Sequence, residues 1–256
     1  ALSDAGATSL TVTGLGSFSG ASISLGGGIF NTGSLNFNSA GNVTIQEDSS
    51  TVLAGSNTAG TLSLTSAGAV TDQAGTSLAV TNGATITAGA GTSIILDDTA
   101  FNVGGNTILT AGAGQDIIVS NTANIFSGTV TFVASSGTLA NVNVFDTTAF
   151  DLQPLTVTNS LTAISGGALT DSGNLSVGGL ATLGGSTITI GGGSELTNFG
   201  SLKFNSSGAV TIQEDSSTLL TGTSTGQSLS LTSSAGITND ASANVGITNN
   251  ASFNGT

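Results

Sequence analysis

The residues in this chain that could do chemistry are acidic. Gln46-Glu47-Asp48 recurs as Gln213-Glu214-Asp215, Asp97 and Asp98 are adjacent, and Gly112-Ala-Gly-Gln-Asp116 precedes Ile117-Ile-Val119. Carboxylates are hard oxygen donors and suit calcium. Glu47, Asp48, Glu214 and Asp215 therefore form a candidate calcium or partner site used twice. Their plain alternative is a solvated turn between strands. Asp97 and Asp98 are candidate calcium ligands or an acid–base pair of the kind that cleaves glycosidic bonds; the alternative is a turn closing the Ile94–Leu96 strand. Asp116 sits in a segment resembling one calcium-binding Gly-rich nonapeptide. That mechanism needs tandem copies to share each ion, and a single copy reads more simply as a turn before a strand.

Composition removes most other chemistry. The chain has no Cys or His, one Lys (Lys203) and no Arg among 256 residues. There is no thiolate, no imidazole base and no common zinc site. A net charge of −13 repels nucleic acid and anionic lipid. No run is long and apolar enough to insert in a membrane. No residue is assigned to catalysis and no cofactor is expected, calcium at the seven acidic positions being the one ion considered. Gly26-Gly-Gly28 and Gly191-Gly-Gly193 are followed by neither a helix nor a Lys, so they read as tight corners rather than phosphate loops.

The elements that must position these residues are short strands. Apolar-x-apolar triplets recur throughout, among them Ile23/Leu25, Val43/Ile45, Leu62/Leu64, Leu78/Val80, Val130/Phe132, Ile188/Ile190 and Leu229/Leu231. This two-residue alternation buries one face of a strand, and most triplets are followed by turn residues. No sustained period of 3.6 predicts a helix. A longer repeat overlies the short one. Residues 33–65 match residues 200–232 at an offset of 167, with 23 of 33 positions identical. Direct repeats stack coil on coil. The expectation is an all-β, right-handed parallel β-helix with roughly 20–25 residues per coil, continuous over 1–256 and holding about one and a half copies of the long unit. Both termini fall in mid-pattern, so the chain is expected to be part of a longer one. The Phe residues are expected mainly as stacked core, with a weak sugar-stacking surface at Phe101, Phe145 or Phe150 as the alternative. The recurring Asn38, Asn82, Asn102, Asn106, Asn121, Asn205 and Asn249 are expected to bond along the stack.

The tandem LxVxG, AxIxAG and DDxA elements of Thr76–Asn121 (TSLAVTNGATITAGAGTSIILDDTAFNVGGNTILTAGAGQDIIVSN), with the paired segments AGNVTIQEDSS (40–50) and SGAVTIQEDSS (207–217), resemble the repeat regions of filamentous-haemagglutinin-like large exoproteins. The likeness runs along nearly the whole chain; the secretion domain found near the N-terminus of such proteins is not matched. The resemblance implies a secreted bacterial surface protein built on a β-helix and used in fibres or adhesion. From this come the functional expectations. The chain is a non-enzymatic structural rod of an extracellular fibre, filament or adhesin stalk. Its main partner is itself, by end-to-end stacking or within one long chain. A glycan- or protein-binding adhesive module is the alternative, and a polysaccharide lyase or hydrolase the third.

Overall fold

A computed structural model describes residues 1–4, 6 and 8–256. Among them there is no helix. The chain is a right-handed parallel β-solenoid that divides into two units, Ala1–Leu139 and Ala140–Thr256.

One turn of the first unit shows how the sequence makes the coil. The strands Thr61–Ser66, Val70–Asp72 and Ser77–Val80 are followed by Ala84–Thr87, Ile94–Ile95 and Ala100–Val103. Each strand of the second set pairs in parallel with its counterpart one coil back. Coil length varies: Val43 pairs with Leu62, whereas Ala84 reaches Thr107 only after a longer turn of chain. The strands are short because glycine and small polar corners interrupt them. At Gly89 and Gly104 an added Cβ would lie 1.9 Å and 2.2 Å from the carbonyl oxygens of Ala67 and Thr81 in the preceding coil. The Gly-rich corners do contain left-handed residues, namely Gly26 and Gly191, Gly192 and Gly193.

The register places like on like. In the first unit Ile23, Val43, Leu62, Ala84, Thr107 and Val130 form one inward column, and Leu25, Ile45, Leu64, Ile86, Leu109 and Phe132 the next. Asn57, Leu78 and Phe101 form a column on another face. In the second unit the columns include Phe150, Leu169, Ile188, Val210 and Leu229, and Val144, Ala163, Leu183 and Phe204. Every large member is buried, and burying each contributes roughly 1.5–3 kcal/mol. Strict alternation is what makes this possible: in Asn42–Glu47, positions 43, 45 and 47 are buried while 42, 44 and 46 are exposed.

Candidate functional site

The same alternation corrects the reading of the paired acidic segments. Val43, Ile45 and Glu47 share a face, so Glu47 points inward and is 0% exposed; Glu214 follows Val210 and Ile212 in the same way and is 1% exposed. Neither lies in a solvated turn. Glu47 Oε1 accepts bonds from the Thr32 N–H at 2.7 Å and the Thr32 hydroxyl at 2.8 Å. Asp48 Oδ2 accepts from the Phe30 N–H at 2.9 Å. In the second copy Glu214 Oε2 accepts from the Phe199 N–H at 3.1 Å and Asp215 Oδ2 from the Thr197 N–H at 2.9 Å. These carboxylates thus hold backbone donors of the preceding coil, each through one oxygen.

The two copies differ at one telling position. Thr32 becomes Phe199, so the hydroxyl donor to Glu47 has no counterpart at Glu214. Burial pushes the Glu214 carboxyl up from its ordinary 4.5 to about 7, against the pull of the Thr218 side chain and the Phe199 N–H. The second carboxylate oxygen is alike in the two copies: neither Glu47 Oε2 nor Glu214 Oε1 has a partner at standard hydrogen-bond geometry.

A third corner of this kind was not singled out by sequence reasoning. Asp146 is 0% exposed, and its Oδ1 accepts from the N–H and hydroxyl of Thr148 at 2.9 Å and 3.0 Å. The signal was present, since Val142 and Val144 set the inward phase that Asp146 continues. Each of the three acids stacks against a serine one coil on: Glu47 on Ser66, Asp146 on Ser165, Glu214 on Ser233. Each serine hydroxyl closes the corner on a carbonyl, of Ser49 at 2.8 Å, Thr148 at 2.7 Å and Ser216 at 2.6 Å.

The remaining predicted positions fall elsewhere. Asp97 and Asp98 are exposed in a turn, as the plain reading held. They are joined by Asp72, which the sequence did not point to because it belongs to the preceding coil; carboxylate oxygens of the three lie within 4.8 Å of one another. Burial, and then the negative charges of Asp97 and Asp98, push the Asp72 carboxyl above the ordinary range, against Thr99, which pulls it down. Among the described residues this is the one group of three acids so placed. Asp116 is outside it, beside Ser93, whose hydroxyl accepts from the Asp116 N–H at 3.2 Å.

Phe101 and Phe150 take the stacked-core reading rather than the sugar-platform alternative. Phe101 is 0% and Phe150 5% exposed, and Phe101 meets Phe126 edge-on with centroids 5.4 Å apart; Phe145 remains half-buried. The asparagines bond between coils mostly to backbone or hydroxyl groups rather than to each other. Asn121 Nδ2 donates to the Asp98 carbonyl at 2.9 Å, and Asn38 and Asn205 Oδ1 accept from the hydroxyls of Thr58 and Thr225. The two buried ones, Asn57 and Asn124, use Oδ1 to accept the N–H groups of Phe37 and Phe101.

Two open concavities among the described residues are lined by no ionisable side chain. One of about 210 Å³ is lined by Ala79, Asn102, Ile125 and Ser127; another, of about 450 Å³, by Ser206, Thr225, Gln227 and Thr248. Among the described residues, no helix is long and apolar enough to cross a membrane. No curated protein and no solved structure matches the chain. A family described as repeats of unknown function (DUF5649) matches residues 40–102, 98–133 and 139–198. These segments take in the stacked coils and two of the three buried acidic corners, and the chain belongs to this family of repeats of unknown function.

Proposed function

We propose that this chain is a non-catalytic structural segment of a secreted bacterial cell-surface fibre, filament or adhesin stalk. The observation that carries the reading is the repeated corner. The two copies of the long repeat rebuild the same inward acid, the same capped N–H groups and the same closing serine. Such invariance serves continued stacking, in which each coil supplies the hydrogen-bond partners of the next. The two concavities described above hold no side chain that could act as an acid or base. The finer likeness to filamentous-haemagglutinin-like exoproteins belongs to this proposal. So do self-association, by end-to-end stacking or in one long chain, and an extracellular location.

The test uses antibody raised against the purified chain. It should label intact, unpermeabilised cells of the source bacterium and decorate filaments in material shed from them. Labelling confined to permeabilised cells would overturn the reading. So would turnover of an acidic polysaccharide that is lost in the Asp97→Ala/Asp98→Ala variant.

One observation favours an adhesive module as the second reading. On the outer face of the first unit, Thr44, Ser63 and Thr85 align in one row and Thr65, Thr87 and Thr110 in the next. Neighbouring strands are about 4.8 Å apart, so these hydroxyls form a regular polar surface that could contact a glycan. Binding on a glycan array that disappears on Thr65→Val/Thr87→Val substitution distinguishes this module from an inert stalk.

A further inference from the structure

We infer that the second unit carries a binding groove for an extended, uncharged, β-linked glycan. The inference deepens the adhesive reading given above and rests on it, but it places the sugar away from the threonine rows of the first unit.

Register lays out the groove. Ile164, Gly184, Asn205, Thr225 and Gly246 pair in turn, one residue from each of five consecutive coils. With neighbouring strands about 4.8 Å apart, this column runs about 19 Å. Two concavities follow it. One, of about 520 Å³, is lined by Ile164, Gly184, Ser186 and Asn205. It shares Ser206, Ser207 and Thr225 with the concavity of about 450 Å³ that continues past Gln227 and Gly246 to Thr248. An open cleft that follows one column across five coils suits a polymer chain rather than a compact molecule.

The second copy of the long repeat is the more open here. The equivalent column in the first unit is Ser19, Asn38, Thr58 and Ala79. Gly184 and Gly246 therefore stand where the first copy has the side chains of Ser19 and Ala79, and the first-unit concavity at Ala79 measures about 210 Å³. A third difference frees a donor. Asn38 Nδ2 donates to Asn36 Oδ1 at 3.2 Å. Lys203 replaces Asn36 and has no acceptor atom, so Asn205 Nδ2 meets no such partner, while Asn205 Oδ1 accepts from the Thr225 hydroxyl at 3.1 Å.

The lining selects the ligand. No ionisable side chain lines either concavity of the second unit. An acidic sugar would meet no cation there and the repulsion of a chain with net charge −13. Half-buried Ile164 and the bare glycines supply apolar ground. Asn205, Thr225, Gln227 and Thr248 supply amides and hydroxyls that both donate and accept. A pyranose ring has the matching character, with apolar C–H faces and a rim of hydroxyls, and a few polar groups on an apolar ground suffice to orient it. A peptide strand finds no sheet edge to extend, because backbone groups at the groove already bond between coils. The Gln227 N–H donates to the Gly208 carbonyl at 2.8 Å and the Thr248 N–H to the Gly226 carbonyl at 3.2 Å. β-Linkage keeps a sugar chain extended, as a groove along one column requires.

The experiment is calorimetric titration of the full chain with cellohexaose, an extended β-linked glucose chain. Maltohexaose, its coiled α-linked counterpart, and an anionic hyaluronan hexamer are titrated beside it. Cellohexaose should bind in preference to both. Asn205→Ala/Gln227→Ala should weaken its binding roughly 10-fold or more, the effect of two lost hydrogen bonds. Gly246→Val should block it. An added Cβ there lies 4.0 Å from the Ser224 carbonyl oxygen, its nearest neighbour, so the variant keeps the fold while its side chain fills the groove. Thr65→Val/Thr87→Val should leave the affinity unchanged. Loss of binding with Thr65→Val/Thr87→Val alone would overturn the groove and leave an adhesive module on the threonine rows. No binding of cellohexaose, or equal binding of maltohexaose or the hyaluronan hexamer, would overturn the assignment, and the glycan array would then judge the adhesive reading separately.

Discussion

Glu214 contributes more to stability in acid than at neutral pH, the reverse of the trend in ordinary acid denaturation. Its carboxyl rises from 4.5 to about 7 because burial penalises the charged form. Between those values the native protein keeps a proton that the unfolded chain has released. The contribution of Glu214 to stability is therefore greatest below about pH 4.5, falls as the pH climbs through the window, and levels off above about 7. The shift corresponds to about 3 kcal/mol lost across the window, at 1.36 kcal/mol per unit. Asp171, lifted to about 6 by burial and by the charges of Glu195 and Asp151, adds to the same trend over a lower range. The perturbation that isolates Glu214 is Glu214→Gln, which is neutral at every pH and nearly isosteric. Urea unfolding of both proteins at pH 5 and pH 8, monitored by circular dichroism, gives two stability differences. The variant should lose about 2.5 kcal/mol less than the parent between those pH values, since part of the window lies below pH 5. It should also equal or exceed the parent at pH 8 while falling no more than about 1 kcal/mol below it at pH 5. Parallel pH profiles for the two proteins would refute the argument, because they would mean that Glu214 titrates alike in the folded and unfolded chains.

Three further outcomes follow from hydrogen bonding and close approach. Thr32→Val removes one of the two donors that Glu47 uses and should cost about 1.5–3 kcal/mol in denaturant melts at neutral pH. At Asn57, which accepts from the Phe37 N–H at 3.0 Å, Ala should cost about 1–3 kcal/mol. Ser should cost less, since Ser224 takes the equivalent N–H of Phe204 at 3.1 Å in the second copy; equal losses would contradict this pairing. Gly89→Ala would set a Cβ 1.9 Å from the Ala67 carbonyl oxygen, whereas Gly14→Ala meets nothing within 4 Å. The first should lower the melting temperature sharply and the second leave it nearly unchanged, a contrast readable by calorimetry.

The fold was legible in the residues because its signals are local. Alternation such as Leu62/Leu64 and Leu229/Leu231 fixes which face is buried, and the glycine and small polar corners fix where each strand ends. The direct repeat at offset 167 then leaves stacking as the natural arrangement. Extending the same alternation by one step would have turned Glu47, Asp146 and Glu214 inward. The pull of their charge toward a solvated reading masked that signal, because an acid is seldom buried without partners, and its partners come from elsewhere in the chain. Thr32 and Phe199 lie 15 residues before the acids they serve.

What the sequence determined by itself was the period of the strands, the absence of helix and the poverty of catalytic groups. Tertiary structure alone decided which residues meet. The register between coils depends on corner lengths that vary from one turn to the next, and a change of a single position there shifts every contact beyond it. Only the folded register could place Asp72 beside Asp97 and Asp98, or set Phe199 against Glu214 where Thr32 meets Glu47. Proximity across coils is the sum of many small backbone choices, and no single residue encodes it.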